Sequence, residues 1–339
     1  MDDKELRERI CGALVGVAVG DAMGMPVEMW PRGRIRQRFG SVDSFLPAPE
    51  DNEITHGLRA YEVTDDTRIT VLVAESLIEE GGAVRPESII RKIKAWSESD
   101  SKSANVLGPS TKRAFAEIAR GVPLGEAGRY GETNGASMRI IPVGAVSDLH
   151  DLAGLVENVR LASVPTHNTG VAIAAASAIA AAVAYGLEAE RADPEGAVHA
   201  AQGAATLGAT RGYEVFAPSV ARRIDLAASI AGRFRHDPPR AAEELSDLVG
   251  SGLPSHESIP SALGLVLASG GDPLLCARLA ANMGGDTDTI GAMACGVCGA
   301  MTGLGGFPAE TVSRLESVNG IDFRALAAGL AEARKRCRP

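Results

Sequence analysis

Apolar residues recur at helical spacing along most of the chain. Leu6, Ile10, Ala13, Leu14 and Val17 fall on one face behind the capping candidates Asp2 and Asp3, which predicts an amphipathic first helix ending near 20–24. Ile69, Leu72, Val73 and Leu77 repeat the pattern, and Gly81-Gly82 supplies its stop. Ile89, Ile90, Ile93 and Trp96 follow Pro86 in the same rhythm. Further helices are predicted over 112–119, 151–162, 171–185, 194–209, 241–249, 261–268, 290–302 and 323–335. Alternating, strand-type runs are scarce. The expected fold is therefore all-α, with helices joined by loops rich in Gly, Pro, Asn and Asp. No low-complexity linker divides the chain and no internal repeat is visible, so 1–339 reads as a single domain.

Composition refines this picture. Of the 339 residues 45% are hydrophobic and 23% charged, an ordinary globular balance, and the small residues, including 39 Gly, imply close backbone packing. A formal charge of −9 without a basic stripe argues against nucleic-acid or membrane-surface binding, which needs dense Lys and Arg. The apolar run 171–186 is mostly Ala and reads as a central buried helix rather than a membrane span. Five cysteines form no disulfide framework, and acidic residues stand where a signal peptide needs positive charge. A cytoplasmic, monomeric protein is expected.

The chemistry lies in two knots. Asp286-Thr287-Asp288-Thr289 and Thr64-Asp65-Asp66-Thr67 each open directly onto an apolar-periodic run. Carboxylates packed into one cleft without a counter-charge would repel one another and shift upward in pKa, and a divalent cation removes that penalty. Oxygen ligands with no neighbouring Cys or His suit Mg²⁺, Mn²⁺ or Ca²⁺ rather than zinc. The plainer reading of either knot alone is a helix N-cap, a role that Asp and Thr serve equally well. Both readings stay open at this level.

Five segments in order resemble the ADP-ribosylglycohydrolase family. They are Gly12-Ala-Leu-Val-Gly-Val-Ala-Val-Gly-Asp-Ala-Met-Gly-Met-Pro-Val-Glu28, then Thr64-Asp-Asp-Thr67, Asn134-Gly-Ala-Ser-Met-Arg139, Thr166-His167 and Asn282-Met-Gly-Gly-Asp-Thr-Asp-Thr-Ile-Gly291. They span about residues 10–305. The resemblance implies a compact orthogonal multi-helix domain with a binuclear Mg²⁺ or Mn²⁺ centre. It implies Thr64, Asp65, Asp66, Asp286, Asp288 and Thr289 as metal ligands, with Asp288 bridging, and Glu28, Asp65, Asp66 and Asp288 as the catalytic group. For substrate it implies Asn134, Gly135, Ser137 and His167, with Gly284 and Gly285 letting backbone approach the ligand. The implied activity is metal-dependent hydrolysis of an N- or O-glycosidic bond of an ADP-ribosyl group, carried by a protein or a small conjugate. A smaller riboside or nucleoside as substrate, or a silent ADP-ribose-binding or crystallin-like structural role, are the alternatives. One departure stands out: Gly131 lies where the nitrogenase-regulating branch carries an aspartate, and Glu132 follows it.

Smaller signals divide between site and scaffold. His167 is either a ribose contact or a histidine hydrogen-bonded at a helix start. Cys295 and Cys298 have redox spacing, but Gly291, Cys295 and Gly299 share one helix face, which favours packing. Arg139 suits a phosphate or a buried ion pair equally. Trp30 and Tyr61 are expected to anchor the core rather than stack on a base.

Overall fold

The structure is a computed structural model that describes residues 2–99 and 107–337. Its helices are α1 (Asp3–Gly24), α2 (Arg32–Phe39), α3 (Asp65–Glu79), α4 (Pro86–Ser97), α5 (Pro109–Ala119), α6 (Leu124–Ala127), α7 (Ile141–Val146), α8 (Leu152–Ser163) and α9 (Gly170–Glu188). They continue with α10 (Pro194–Gly208), α11 (Val220–Arg233), α12 (Pro238–Leu248), α13 (Ser255–Ala268), α14 (Pro273–Met283), α15 (Thr287–Thr302), α16 (Ala309–Asn319) and α17 (Phe323–Cys337). Isolated bridges at Trp30–Gly285, Thr133–Pro254 and Thr169–Tyr213 are the only strand-type pairings among the described residues. One continuous apolar core draws on residues from Ile10 to Ala333. The all-α expectation holds.

The pair α1 and α15 organises the molecule. Gly12, Gly16, Gly20 and Gly24 recur every four residues and so line one face of α1. A Cβ on them would lie 2.5 Å from Gly299 O, 2.1 Å from Cys295 O, 2.0 Å from Gly291 O and 2.5 Å from the Asp288 Cα, respectively. The two backbones are thus in direct contact and antiparallel, which only glycine permits. The contact delivers the end of α1 to the start of α15, and the site forms there. Helix α9 is buried along almost its whole length, as the sequence indicates, and packs across α15. Both α1 and α9 have the length and hydropathy of a membrane span, yet both are enclosed by other helices.

The sequence pattern gives no signal for helices α2, α6, α7, α11, α14 and α16. Four Arg and one buried apolar residue, Ile35, leave α2 no periodic stripe, and α7 is buried all round and so shows no polar face. Helix α13 starts at Ser255, not at 261 after Pro260. Proline inside a helix leaves the carbonyl four residues earlier without its donor, and here the His256 carbonyl accepts from Arg223 Nη1 at 3.2 Å instead.

Candidate metal centre

Residues 64–67 begin α3, with the Thr64 side chain accepting from the Asp66 N–H as N-cap. A second cap comes from α1. Both carboxylate oxygens of Asp21 accept from Thr64 and Thr67, through backbone N–H groups at 3.0–3.1 Å and hydroxyls at 3.0 and 2.5 Å. Asp286-Thr287-Asp288-Thr289 begins α15, where the Thr287 hydroxyl donates to Gly24 O at 2.9 Å. The Thr289 hydroxyl donates to Asp66 Oδ2 at 3.2 Å and so joins the two knots directly.

The carboxylates gather into two triads, Asp21–Asp66–Asp288 and Glu28–Asp286–Asp288, each with one oxygen per residue within 4.8 Å of the others. Asp288 belongs to both. Asp66 Oδ1 and Asp288 Oδ1 are buried without any hydrogen-bond donor, and buried acceptors are ordinarily satisfied. The chain therefore presents acidic clusters that could hold metal ions: hard oxygen ligands, crowded, desolvated and short of donors.

Electrostatics agree. Burial pushes Asp66 and Asp288 well above the usual carboxylate range, and nearby charges add to it: Asp288 and Asp21 for Asp66, Asp286 and Asp21 for Asp288. Asp65 is pushed up to about 8, by burial first and by Asp21 second. Glu28 rises well above its ordinary value through burial, then through Asp288 and Asp286. Asp21 and Asp286 are raised by burial as well, Asp286 against the hydrogen bond it receives from Asn134. A fixed positive charge would return all six to the ionised form.

Glu28, Asp65, Asp286, Asp288 and Thr289 line a cleft of about 230 Å³, together with Asn134, Gly135 and the first turn of α5, including Lys112. Asn134 Nδ2 donates to Asp286 Oδ2 and thus orients that carboxylate. The remaining wall is apolar, with Met29, Ile54, Leu107, Met138 and Leu253, and no aromatic ring among the described residues faces the cleft. A larger groove of about 550 Å³ runs along the outer side of α3 against Trp96 and Leu326, but it holds neither carboxylate triad. The chemistry points to the smaller cleft.

Several expected contacts stand elsewhere. His167 is completely buried behind the Asn134 loop, with Nδ1 2.7 Å from Thr166 Oγ1 and Nε2 3.0 Å from Thr133 Oγ1, and its ring lies against Gly135. Burial, then Arg139 and Arg113, keep it neutral. It supports the loop and does not line the cleft. Gly284 and Gly285, at φ of 80° and 82°, admit backbone rather than ligand, because a Cβ there would strike Arg32 N at 2.8 Å and Ser251 O at 2.2 Å. Ser137 is buried outside the cleft lining. Thr64 points its hydroxyl at Asp21 and Asp66 and is absent from the cleft lining.

Gly131 packs on the turn at 166–167, where a Cβ would meet Thr166 O at 2.2 Å, so no side chain fits there. Glu132 is outside the cleft lining. Arg139 is buried outside the cleft lining and, among the described residues, donates to Ala162 O and Thr166 Oγ1 rather than to a carboxylate. Trp30 stacks on Phe39 and Tyr61 on Phe45, as core anchors. Asp21 is the residue that the sequence reading missed, and its signal was a lone acid inside the apolar stripe of α1.

The two Asp/Thr helix starts of this helical domain thus converge on shared carboxylates that could hold metal ions, and the comparisons give the class. The family model for ADP-ribosylglycohydrolase matches residues 2–339. The chain is 40% identical to the uncharacterised Escherichia coli protein YegU over 335 residues, 97% of this chain and 98% of that protein. It is 27% identical to ADP-ribosylarginine hydrolase Tri1 of Pseudomonas putida over 322 residues, 91% and 74% of the two chains. A solved structure titled ADP-ribosylglycohydrolase-related protein complex superposes with a TM-score of 0.64 at 26% identity, covering 99% of this chain and all of that one. The chain belongs to the ADP-ribosylglycohydrolase family, whose members are hydrolases of glycosyl bonds in ADP-ribosyl groups.

Proposed function

We propose that this protein is a divalent-metal-dependent hydrolase that cleaves the N- or O-glycosidic bond joining an ADP-ribosyl group to a protein side chain or small conjugate. The carrying observation is Asp288, common to two carboxylate triads and left with an undonated oxygen. In this reading Asp66 and Asp288, with the Thr64 and Thr289 hydroxyls, would hold one Mg²⁺ or Mn²⁺ ion and Asp286 and Asp288 a second, with Asp65 as a further ligand. The bound ions supply concentrated positive charge next to sugar hydroxyls and water.

The chain's own groups do the rest. Glu28, ionised beside that charge, accepts the proton of the water that attacks the anomeric carbon, and returns it to the departing nitrogen or oxygen as the glycosidic bond breaks. Asn134 holds Asp286 in place. Gly135 offers backbone to the diphosphate, with Lys112 at the mouth. Met29, Ile54, Leu107 and Leu253 keep bulk water from the anomeric carbon. The thiols, all free, suit the reducing cytoplasm.

The test is turnover of ADP-ribosyl-arginine, ADP-ribosyl-serine, acetyl-ADP-ribose and plain nucleosides, with Mg²⁺ or Mn²⁺ and with chelator. Release of ADP-ribose that stops on chelation supports the reading. Hydrolysis of nucleosides alone transfers it to the small-riboside alternative, and binding without turnover to the silent one.

A further inference from the structure

We propose that Met29 is a specificity-determining residue for the leaving group, an apolar lip beside Glu28 that favours ADP-ribosyl conjugates whose leaving group is uncharged and aliphatic, an acyl ester above all. The inference rests on the function proposed above. Among the described residues two other than glycine hold the left-handed backbone, Met29 at φ 59° and Tyr61 at φ 68°. That conformation costs an L-residue energy and is ordinarily given to Gly, Asn or Asp. Tyr61 has a structural reason for it. Its ring stacks on Phe45 and packs against the core, and its carbonyl accepts from Asn319 Nδ2 at 2.8 Å.

The Met29 side chain has no such reason. It belongs neither to the core nor to the apolar residues packed against it, and it is 43% exposed. Of the six large apolar side chains that stand exposed among the described residues, it alone lines the cleft. The backbone around it is pinned: the Met29 N–H donates to Gly285 O at 2.7 Å, and the Gly285 N–H to Trp30 O at 3.0 Å. That pairing accounts for the turn and would be served as well by glycine. It leaves the thioether unexplained, and a strained residue kept at a cleft points to function.

The neighbouring turn extends the lip. Buried Asn52 donates through Nδ2 to Glu28 O at 3.2 Å and accepts through Oδ1 from the Ile54 N–H at 2.9 Å, and the Thr55 hydroxyl donates to Met25 O at 3.0 Å. The turn that carries half-buried Ile54 is thus tied to Glu28, and Ile54 lines the cleft with Met29. In the proposed reaction Glu28 meets the departing group, so a thioether and a branched alkyl chain are the surfaces beside that group. Neither can pair with a guanidinium, which needs a planar carboxylate. An alkyl tail gains by leaving water there. With an ester at the anomeric carbon, water supplies the hydroxyl that stays on ADP-ribose, the anomeric C–O bond breaks, and the carboxylic acid leaves with the remaining proton.

The test is kcat/KM of the Mg²⁺- or Mn²⁺-loaded protein for the anomeric acetyl and butyryl esters of ADP-ribose. Butyryl should exceed acetyl by about fivefold, from two methylenes at about two- to threefold each, below the roughly fourfold of full burial because the lip is half-exposed. Met29→Asn, a polar residue at home at this φ, should cut that ratio below about twofold, and Met29→Leu should keep it. A ratio is read because damage to the fold or to water exclusion lowers both esters together. Circular dichroism follows the fold. A Met29→Asn variant that keeps the butyryl preference overturns the inference, as does a Met29→Leu variant that loses it. Should Met29→Asn fail to fold, Met29→Gly, free to adopt the same φ, takes its place. Wild type that hydrolyses both esters equally, or ADP-ribosyl-arginine but neither ester, sinks only the role of Met29. Wild type that turns over no ADP-ribosyl conjugate with either metal sinks the proposed function itself.

Discussion

Stripping divalent cations leaves the buried carboxylates facing one another, and the metal-free protein should lose stability as pH rises. Asp65 gives the magnitude. Its ordinary value is 3.8 and its folded value about 8. Between these limits the folded state holds a proton that the unfolded chain has released, so its stabilising contribution is complete below 3.8 and is lost as pH climbs through about 8. From pH 5 to 8 the loss is about 4 kcal/mol, at 1.36 kcal/mol per unit. With roughly 2.1 cal/mol/K of unfolding entropy per residue, a chain of 339 residues has about 0.7 kcal/mol/K, and Tm should fall by about 6 °C. Asp66, Asp288 and Glu28 are raised as well and add in the same direction. Mg²⁺ or Mn²⁺ reverses the trend, because metal competes with protons and binds more tightly as pH rises. Thermal melts at pH 5–8.5, with chelator and with metal, measure both slopes. A Tm in chelator that is flat or rising over this range, or an identical slope with metal, refutes the assignment of these carboxylates to a cation site.

Gly20→Ala should destabilise by about 3 kcal/mol or more, since its Cβ would lie 2.0 Å from Gly291 O and neither helix backbone can yield. Gly203→Ala, where nothing stands within 4 Å, should be neutral or stabilising by about 0.5–1 kcal/mol, and paired thermal melts compare the two. Glu28→Gln should lower kcat by about 10²–10⁴ with little change in ADP-ribose affinity; steady-state kinetics that show a pure KM effect would reassign Glu28 to binding. A thiol reagent should titrate Cys337 alone in the native protein and all five cysteines after denaturation, because Cys11, Cys276, Cys295 and Cys298 are buried; rapid native reaction of a second thiol counts against Cys295 and Cys298 as packing residues.

The parts of the fold legible in the sequence are those in which local physics and tertiary structure agree. Helix α3 announces itself through Thr64, its acidic first turn and the stripe Ile69–Val73–Leu77, and the structure keeps all three. Helix α7 carries no such signal, being buried on every side. At the site, the paired knots were visible because carboxylates at a helix start are a compact local pattern. The second-best signal, a glycine every fourth residue of α1, identifies the face that meets α15, and with it the reason that Asp21 and Asp288 meet. Sequence proximity misled in the opposite cases. His167, Ser137, Gly284 and Gly285 adjoin or belong to site segments, yet they face other backbones, since a turn needs buried supporting groups as much as exposed ones.

The glycine contact also ties stability to chemistry. Asp21 sits one residue after Gly20 and caps α3, so the register of α1 against α15 fixes where α3 begins. Sliding α1 by one residue would turn its glycine face away from α15 and rotate Asp21 by about 100° around the helix, at 3.6 residues per turn. Both knots would then lose their common carboxylate neighbour. Close packing and the placement of the carboxylates are therefore specified by one repeat. The repulsion among the carboxylates, which taken alone would drive the helix starts apart, is held in check by backbone contact along the length of two helices. The interior thus supplies the order of the carboxylate cluster, and the unsatisfied oxygens of Asp66 and Asp288 are those a cation could take up.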